Sequence, residues 1–228
     1  KKIHVLTGYV QDDMKSIVSP PITARKTDVT YRGRSCEYWL GKLANDKQKI
    51  ATEFVKKVAG QGLVLDISLE ESDRLYGDAW LQLLMSSKAV LGTESGASIW
   101  DFDETIQQKT KQYLKKNKNA DFDAVYEQVL KPYDGNIPYH AISPRVFEAA
   151  ATRTPMIMFP GYYSGVCKPD MHYIVLNKDF SNIMEVIDRL RDSVFLQVLA
   201  DRTHADLIAS DAYSQHTFSN LVSLIVCA

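Results

Sequence analysis

"AISPRVFEAAATRTPMIMFPGYYSG" (residues 141–165) combines a helix, an apolar strand and a glycine-containing loop. Ser143 can cap a free backbone N–H, and Pro144 suits the first helical position because it has no N–H to satisfy. Helical spacing then places apolar side chains on one face and Arg145, Glu148 and Thr152 on the other. The following run "PMIMF" is typical of a strand buried in a sheet. This stretch therefore predicts one helix–strand unit of an α/β fold.

Further strands and helices alternate on both sides of this unit. The other predicted strands are "DVTYRG" (28–33), "LVLDIS" (63–68), "AVLGTESG" (89–96) and "HYIVLN" (172–177). The run 63–68 has the nearly continuous apolar character of a strand buried on both faces. This order predicts an open parallel Rossmann-like sheet with helices on both faces, and ligands at the carboxyl ends of its strands.

Two adjacent prolines, Pro20 and Pro21, indicate a connector near the start of the chain. We therefore interpret residues 1–24 as an N-terminal segment and linker, and 25–228 as one Rossmann-like domain. Lysine- and glutamate-rich helical stretches around 104–132 are predicted to form a solvated insertion. The chain starts "KKIHVLTGYV" without methionine, and we expect it to be a piece of a longer protein.

Composition restricts the classes of partner. The chain has 27 Lys plus Arg against 28 Asp plus Glu, so its net charge of −1 gives no general reason to expect nucleic acid as partner. Cys36, Cys167 and Cys227 form no CxxC pair, which favours a reducing cytoplasm. No apolar run approaches the roughly 20 residues of a membrane helix.

Two "DFD" triplets (101–103 and 121–123) precede helical runs, and capping is the preferred interpretation over metal binding, so no metal site is predicted.

Several polar residues follow predicted strands. Arg32 and Arg34 lie at and just beyond the carboxyl end of the first strand, where a guanidinium can bond two phosphate oxygens at once, although surface arginines are also common. The "GTESG" run contributes backbone N–H groups to a ligand or simply forms a turn, and its candidates are Gly92, Glu94, Ser95 and Gly96. In "PGYYSG" the glycines allow close approach of a ligand and the tyrosine rings allow stacking. Glu148 and Arg145 are either ligand contacts or a solvated face.

Three segments carry a resemblance to a known family. "SPRVFEAAATRTPMIMF", "HYIVLNKDFSNIMEVIDRLRD" and "LADRTHADLIASDAYSQHTF", in this order between residues 143 and 220, resemble the donor-binding C-terminal half of a GT-B glycosyltransferase of the group 1 type, which includes CgeB-like proteins. The resemblance implies that Glu148 contacts the nucleotide ribose or the donor sugar, and that Arg145 and Ser143 lie near the diphosphate. It also implies that Thr154 belongs to the turn before the next strand and to the donor-binding residues, and that Tyr163, Ser164 and Gly165 lie at the nucleotide pocket.

Two positions depart from this family. Retaining members often carry a glutamate where this chain has His140, so the stereochemical outcome stays open. A glycine is common where this chain has Arg153. The resemblance implies transfer of a sugar from a nucleotide-diphosphate donor to an unidentified acceptor without a required cofactor, with a separate N-terminal half supplying the base. The alternatives are a nucleotide-sugar epimerase, a noncatalytic nucleotide-sugar-binding module and a protein-interaction module.

Overall fold

The computed structural model describes residues 5–137 and 139–226, and a five-stranded parallel sheet forms its centre. The strands, in chain order, are β1 (Thr27–Arg32), β2 (Leu65–Ser68), β3 (Ser87–Gly92), β4 (Ser95–Ala97), β5 (Tyr139–Ala141), β6 (Met156–Met158) and β7 (Ile174–Val175). The main sheet has the order β2-β1-β3-β6-β7, and β4 pairs with β5 in a separate two-stranded antiparallel sheet. The chain thus extends the sheet in one direction from β1 and then in the other, which makes β1 and β3 the switch point of a doubly wound fold.

Helices cover both faces of this sheet. In chain order, the α-helices of the described residues are α1 (Lys42–Lys57), α2 (Gly77–Ser86), α3 (Thr105–Lys116), α4 (Phe122–Val125), α5 (Arg145–Ala151), α6 (Ile183–Arg191), α7 (Ser193–His204) and α8 (Gln215–Val226). Of these, α1, α2, α5, α6 and α7 contribute to the cores against the sheet. Ala89 and Leu91 of β3 pack into a core with α1 and α6, whereas Val90 packs into a second core with α2 and α5. Because successive strand residues point to opposite faces, a continuous apolar run feeds both cores. The predicted α/β class and parallel sheet are confirmed.

Two predicted strands differ in the structure. The run 63–68 was expected to be buried on both faces, but every residue of β2 is partly exposed. The reason is that β2 lies at the edge of the sheet and has a single neighbour, β1. The run 89–96 does not form one strand, because β3 ends at Gly92 and β4 begins at Ser95 in a different sheet. The intervening Thr93 and Glu94 are buried and lie where the chain leaves the main sheet.

The predicted insertion around 104–132 and the segment before residue 25 also make ordered contacts. Residues of α3 and α4 enclose a small apolar core that includes Ile106, Phe122 and Leu130, so the stretch 104–132 is more than a solvated surface. Near the N-terminus, Val10 donates its N–H to the Tyr213 carbonyl, and Ile22 is buried in the core of α1 and α6. The division at residue 24 stays a prediction. Among the described residues, no helix is long and apolar enough to cross a membrane.

Candidate functional site

A cavity of about 350 Å³ opens at the carboxyl ends of β1 and β3. Its volume lies within the range of small-molecule sites, roughly 300–1,000 Å³. The lining side chains combine apolar, aromatic, hydroxyl and cationic groups: Tyr31, Arg34, Lys47, Arg74, Trp80, Val90, Leu91, Thr93, Ser95, Ser143, Arg145, Val146, Met156 and Met158, together with Gly33 and Gly92. The cavity thus occupies the switch point, where ligands of doubly wound sheets bind.

Four cationic side chains line the cavity, and three of them define its electrostatics because the fourth, Arg74, is paired with Glu71. Arg34 follows β1, Lys47 lies on α1 and Arg145 begins α5. Within residues 5–137 and 139–226, none of the three forms an ion pair with a carboxylate. Burial lowers the pKa of Lys47, and the charges of Arg34 and Arg145 lower it further, although Cys36 acts in the opposite direction. Uncompensated positive charges at the mouth of a partly apolar cavity favour an anionic ligand.

Trp80 connects Glu148 to the cavity wall. The Trp80 indole Nε1 donates to Glu148 Oε2 at 2.6 Å, and the Arg145 guanidinium lies 4.8 Å from the centre of the Trp80 ring. A cation above an indole face is attracted by the ring's electron density. Glu148 is half-buried, so it is neither a fully solvated side chain nor a core residue. Its second oxygen accepts no side-chain hydrogen bond from the described part of the chain and can accept one from a ligand hydroxyl.

Arg145 and Ser143 lie together at the start of α5, as the sequence predicts. Ser143 Oγ accepts from the Arg145 N–H at 3.4 Å, and Pro144 has helical backbone angles. The Arg145 guanidinium also donates to the Arg32 carbonyl oxygen, which fixes it beside the end of β1. Both residues line the cavity.

Arg32 and Arg34 have different surroundings, contrary to the paired role expected from sequence. Arg32 forms an ion pair with Asp66 at 2.8 Å and donates to the carbonyl oxygens of Tyr31, Asp66 and Asp73. All three of its guanidinium nitrogens are therefore engaged by the protein. Arg34 lies beyond the strand, is exposed and lines the cavity. Of the two arginines, Arg34 is the one available to a ligand.

Thr154 lies at the opposite end of β6 from the cavity. It is 2% exposed, and its hydroxyl accepts from the buried Arg25 guanidinium at 3.0 Å and donates to the Leu84 carbonyl at 3.0 Å. Thr152, expected on the outward face of the helix, is fully buried beside it. The helix ends at Ala151, so regular helical spacing no longer sets the direction of Thr152. Both threonines therefore serve the structure of this turn, which corrects the binding role expected for Thr154.

The loop after β6 also differs from the expected ligand platform. The Tyr163 ring is fully buried and its hydroxyl donates to the Phe159 carbonyl at 2.6 Å, so the ring is not accessible for stacking. Tyr162 is the exposed tyrosine of the pair, at 72%. Ser164 accepts from the Ile142 N–H, and with Gly165 it lines a second cleft against α8 rather than the switch-point cavity. Neither residue contributes to the cationic site.

Glu94 and His140 come together although 46 positions separate them. Glu94 is buried and accepts from the N–H groups of Tyr162 and Tyr163, at 3.1 and 2.8 Å. Its other oxygen lies 3.1 Å from His140 Nδ1. Gly96 pairs with His140 in the antiparallel β4–β5 sheet, and a side chain at Gly96 would overlap the Tyr139 carbonyl. Gly96 is therefore required by strand pairing, while Gly92 and Ser95 line the cavity.

The remaining motif residues have structural partners. Asp101, Asp103 and Asp121 accept backbone N–H bonds near the starts of α3 and α4, in agreement with the preferred capping interpretation. Arg153 adopts a left-handed conformation, with φ of 48°, and it pairs with Asp201 at 2.7 Å; the family that the sequence resembles commonly has glycine here. This conformation explains why glycine suits the position.

Sequence reasoning missed Lys47, Arg74 and Trp80 as members of the site. Lys47 reads as one of several lysines on an amphipathic helix, and Trp80 as an apolar helix residue. Arg74 pairs with Glu71 in a short turn, at 2.6 Å. The three residues reach the cavity because α1 and α2 cross opposite faces of the sheet. From sequence, only the switch-point rule could have identified them, and only if it is applied to helices as well as to loops.

Comparison with known proteins gives no family by sequence: no family model matches the chain, and no curated protein matches it. Among solved structures, a match is the crystal structure of TarM, at 14% identity and a TM-score of 0.49. The match covers 90% of this chain and 36% of TarM, so the chain spans about a third of the length of that protein. At this TM-score and identity, the likeness carries no argument about the site or its chemistry.

Proposed function

We propose that the switch-point cavity binds the diphosphate of a nucleotide-sugar donor, and that the chain is the donor-binding half of a GT-B glycosyltransferase. The observation that carries the proposal is the convergence of Arg34, Lys47 and Arg145 on one cavity without a carboxylate partner in the described residues. A diphosphate supplies two or more negative charges and several acceptor oxygens, which match three cationic donors. The free protein holds these charges close together, so a ligand anion relieves their mutual repulsion.

The remainder of the cavity suits the other parts of such a donor. Apolar side chains of β3 and β6, including Val90, Met156 and Met158, form a surface for a flat ring system. Glu148 does not itself line the cavity, but it is bound to Trp80, which does, and its second oxygen can accept from a ribose or sugar hydroxyl that passes the Trp80 wall. This combination of a cationic end, an apolar wall and a hydroxyl acceptor supports a nucleotide sugar better than a simple phosphate.

The chemical contribution of this half is stabilisation of the leaving group. When the bond between the sugar and the diphosphate breaks, negative charge accumulates on the diphosphate oxygens. Positive charges already fixed beside those oxygens lower the barrier because they need no reorganisation during the step. Three such charges support a reaction without an additional cofactor. Assignment to the group 1 and CgeB-like type, a separate N-terminal half and a cytoplasmic location belong to the same proposal and rest on the sequence patterns.

Thermal unfolding with a panel of UDP, GDP, CDP and dTDP sugars tests the proposal. A ligand at 100 times its Kd stabilises the folded state by about 2.7 kcal/mol, which raises the melting temperature by several degrees. Lys47→Gln should abolish most of this shift, whereas Lys57→Gln, an exposed position on the same helix, should retain it. A wild-type melting temperature that no nucleotide raises would refute the donor-binding function.

A further inference from the structure

The Glu94 carboxylate is held in one orientation beside the cavity. It is 7% exposed, and one oxygen accepts both the Tyr162 and the Tyr163 N–H groups. Gly161 lies against it so closely that a side chain at that position would approach the carboxylate carbon to 2.7 Å. These contacts already secure the loop after β6. The second oxygen is left to face a different group, His140.

The His140 imidazole extends from this carboxylate towards solvent; neither residue itself lines the cavity, but the neighbours of Glu94 in the chain do. Nδ1 lies 3.1 Å from Glu94 Oε2, and the side chain is 43% exposed. Nε2 has no hydrogen-bond partner in the described ranges 5–137 and 139–226. Thr93 and Ser95, on either side of Glu94, line the cavity, and His140 pairs with Gly96 in the next register position. The imidazole thus has one nitrogen fixed by the protein and one available to a ligand.

We propose that His140 Nε2 is the proton acceptor for the hydroxyl that attacks the donor, with Glu94 as its positioning residue; this inference rests on the proposed function. Because an ionised Glu94 accepts from Nδ1–H, the neutral imidazole carries its lone pair on Nε2. The acceptor hydroxyl gives its proton to Nε2 while its oxygen forms the bond to the anomeric carbon. The bond from that carbon to the diphosphate breaks, and its electron pair leaves with the diphosphate. Glu94 then offsets the charge of the imidazolium.

This assignment places the base in the same half as the diphosphate site. The sequence resemblance implies instead that a separate N-terminal half supplies the base, in which case this chain alone could not remove the proton. On the present geometry the 228-residue chain supplies both leaving-group stabilisation and proton removal. Water can take the place of the acceptor hydroxyl, in which case the chain slowly hydrolyses a bound donor.

Glu94→Gln tests the orientation without removing the loop contacts. The glutamine carbonyl oxygen accepts the N–H groups of Tyr162 and Tyr163, so its NH₂ group faces His140 Nδ1 and donates to it. The His140 proton then moves to Nε2, which becomes a donor. Imidazole ¹⁵N shifts report the protonated nitrogen directly. We expect Nδ1–H in the wild type and Nε2–H in Glu94→Gln; Nε2–H in the wild type would overturn the proposal.

Release of nucleoside diphosphate from UDP, GDP, CDP and dTDP sugars tests the chemical role. We expect Glu94→Gln and His140→Gln to lower kcat by on the order of 10²-fold or more, with KM unchanged, because proton transfer to a positioned side chain contributes this much. Asp206→Asn is the matched control, since Asp206 holds His172 at 3.0 Å in a second histidine–carboxylate pair away from the cavity. This variant should release nucleoside diphosphate at the wild-type rate.

The outcomes separate this inference from the proposed function. A reversed tautomer in Glu94→Gln with an unchanged kcat would overturn the role of His140 and leave donor binding standing. A wild-type chain that binds a donor but releases no nucleoside diphosphate would also overturn the role of His140 alone. If no nucleotide raises the melting temperature, the proposed function is refuted, and the inference that rests on it is refuted with it.

Discussion

Replacing Arg25 with methionine should destabilise the fold strongly. Arg25 is 4% exposed and donates to the carbonyl oxygens of Pro20, Ser87 and Thr152 and to the Thr154 hydroxyl, at 3.0–3.2 Å. Burial lowers the pKa of Arg25 to about 10, so the guanidinium remains charged at neutral pH. Arg25→Met has a similar length and leaves these acceptors without their cationic donor.

The magnitude follows from the acceptors that lose this donor. An unsatisfied buried polar group costs about 1–3 kcal/mol, and three carbonyl groups are affected. Relief of the buried charge offsets part of this cost, which leaves a net loss of about 3 kcal/mol in unfolding free energy. Chemical denaturation at neutral pH measures it, with Arg202→Met as control because Arg202 is exposed. A loss below about 1 kcal/mol would contradict the assigned role of Arg25.

Three further predictions concern single side chains. Lys47→Met should raise the unfolding free energy at neutral pH, because burial disfavours the charged lysine. The pKa of Lys47 is lower in the folded state than its usual 10.5. The difference in unfolding free energy between Lys47→Met and the wild type should therefore shrink when chemical denaturation is repeated at increasing pH, and should vanish as the pH approaches 10.5. Arg153→Gly should be about 1 kcal/mol more stable than Arg153→Ala, since both lose Asp201 but only glycine adopts positive φ freely; equal melting curves would contradict this. Burial raises the pKa of Cys167 to about 12, so peptide mapping after iodoacetamide treatment at pH 8 should find Cys167 unmodified and the half-buried Cys36 labelled, and the reverse order would be inconsistent with the fold.

The alternation of apolar runs and amphipathic helices is a local property, and it was sufficient to predict the parallel α/β sheet. The apolar triplets of β3 and β6 feed cores on both faces of the sheet, as continuous runs do. The same argument was wrong for β2, because a sequence does not state which strand lies at the edge. Strand order depends on where each crossover helix packs, which is a tertiary property.

The site was predicted in part for the same reason. Ser143, Arg145 and Arg34 follow strand ends or begin a helix at the correct edge, so the switch-point rule identifies them. Lys47 reaches the cavity from the side of α1, and no local pattern distinguishes it from other helical lysines. The Glu94–His140 contact depends on pairing of β4 with β5 across a long insertion, and spacing alone cannot show it.

A crystal structure with a bound nucleoside diphosphate tests most directly whether Arg34, Lys47 and Arg145 bind the diphosphate. We expect diphosphate oxygens within about 2.7–3.2 Å of nitrogen atoms from at least two of the three side chains, with the base against the apolar wall of β3 and β6. A nucleotide found instead in the cleft beside Ser164 and α8, or bound with its diphosphate away from all three cations, would contradict the account.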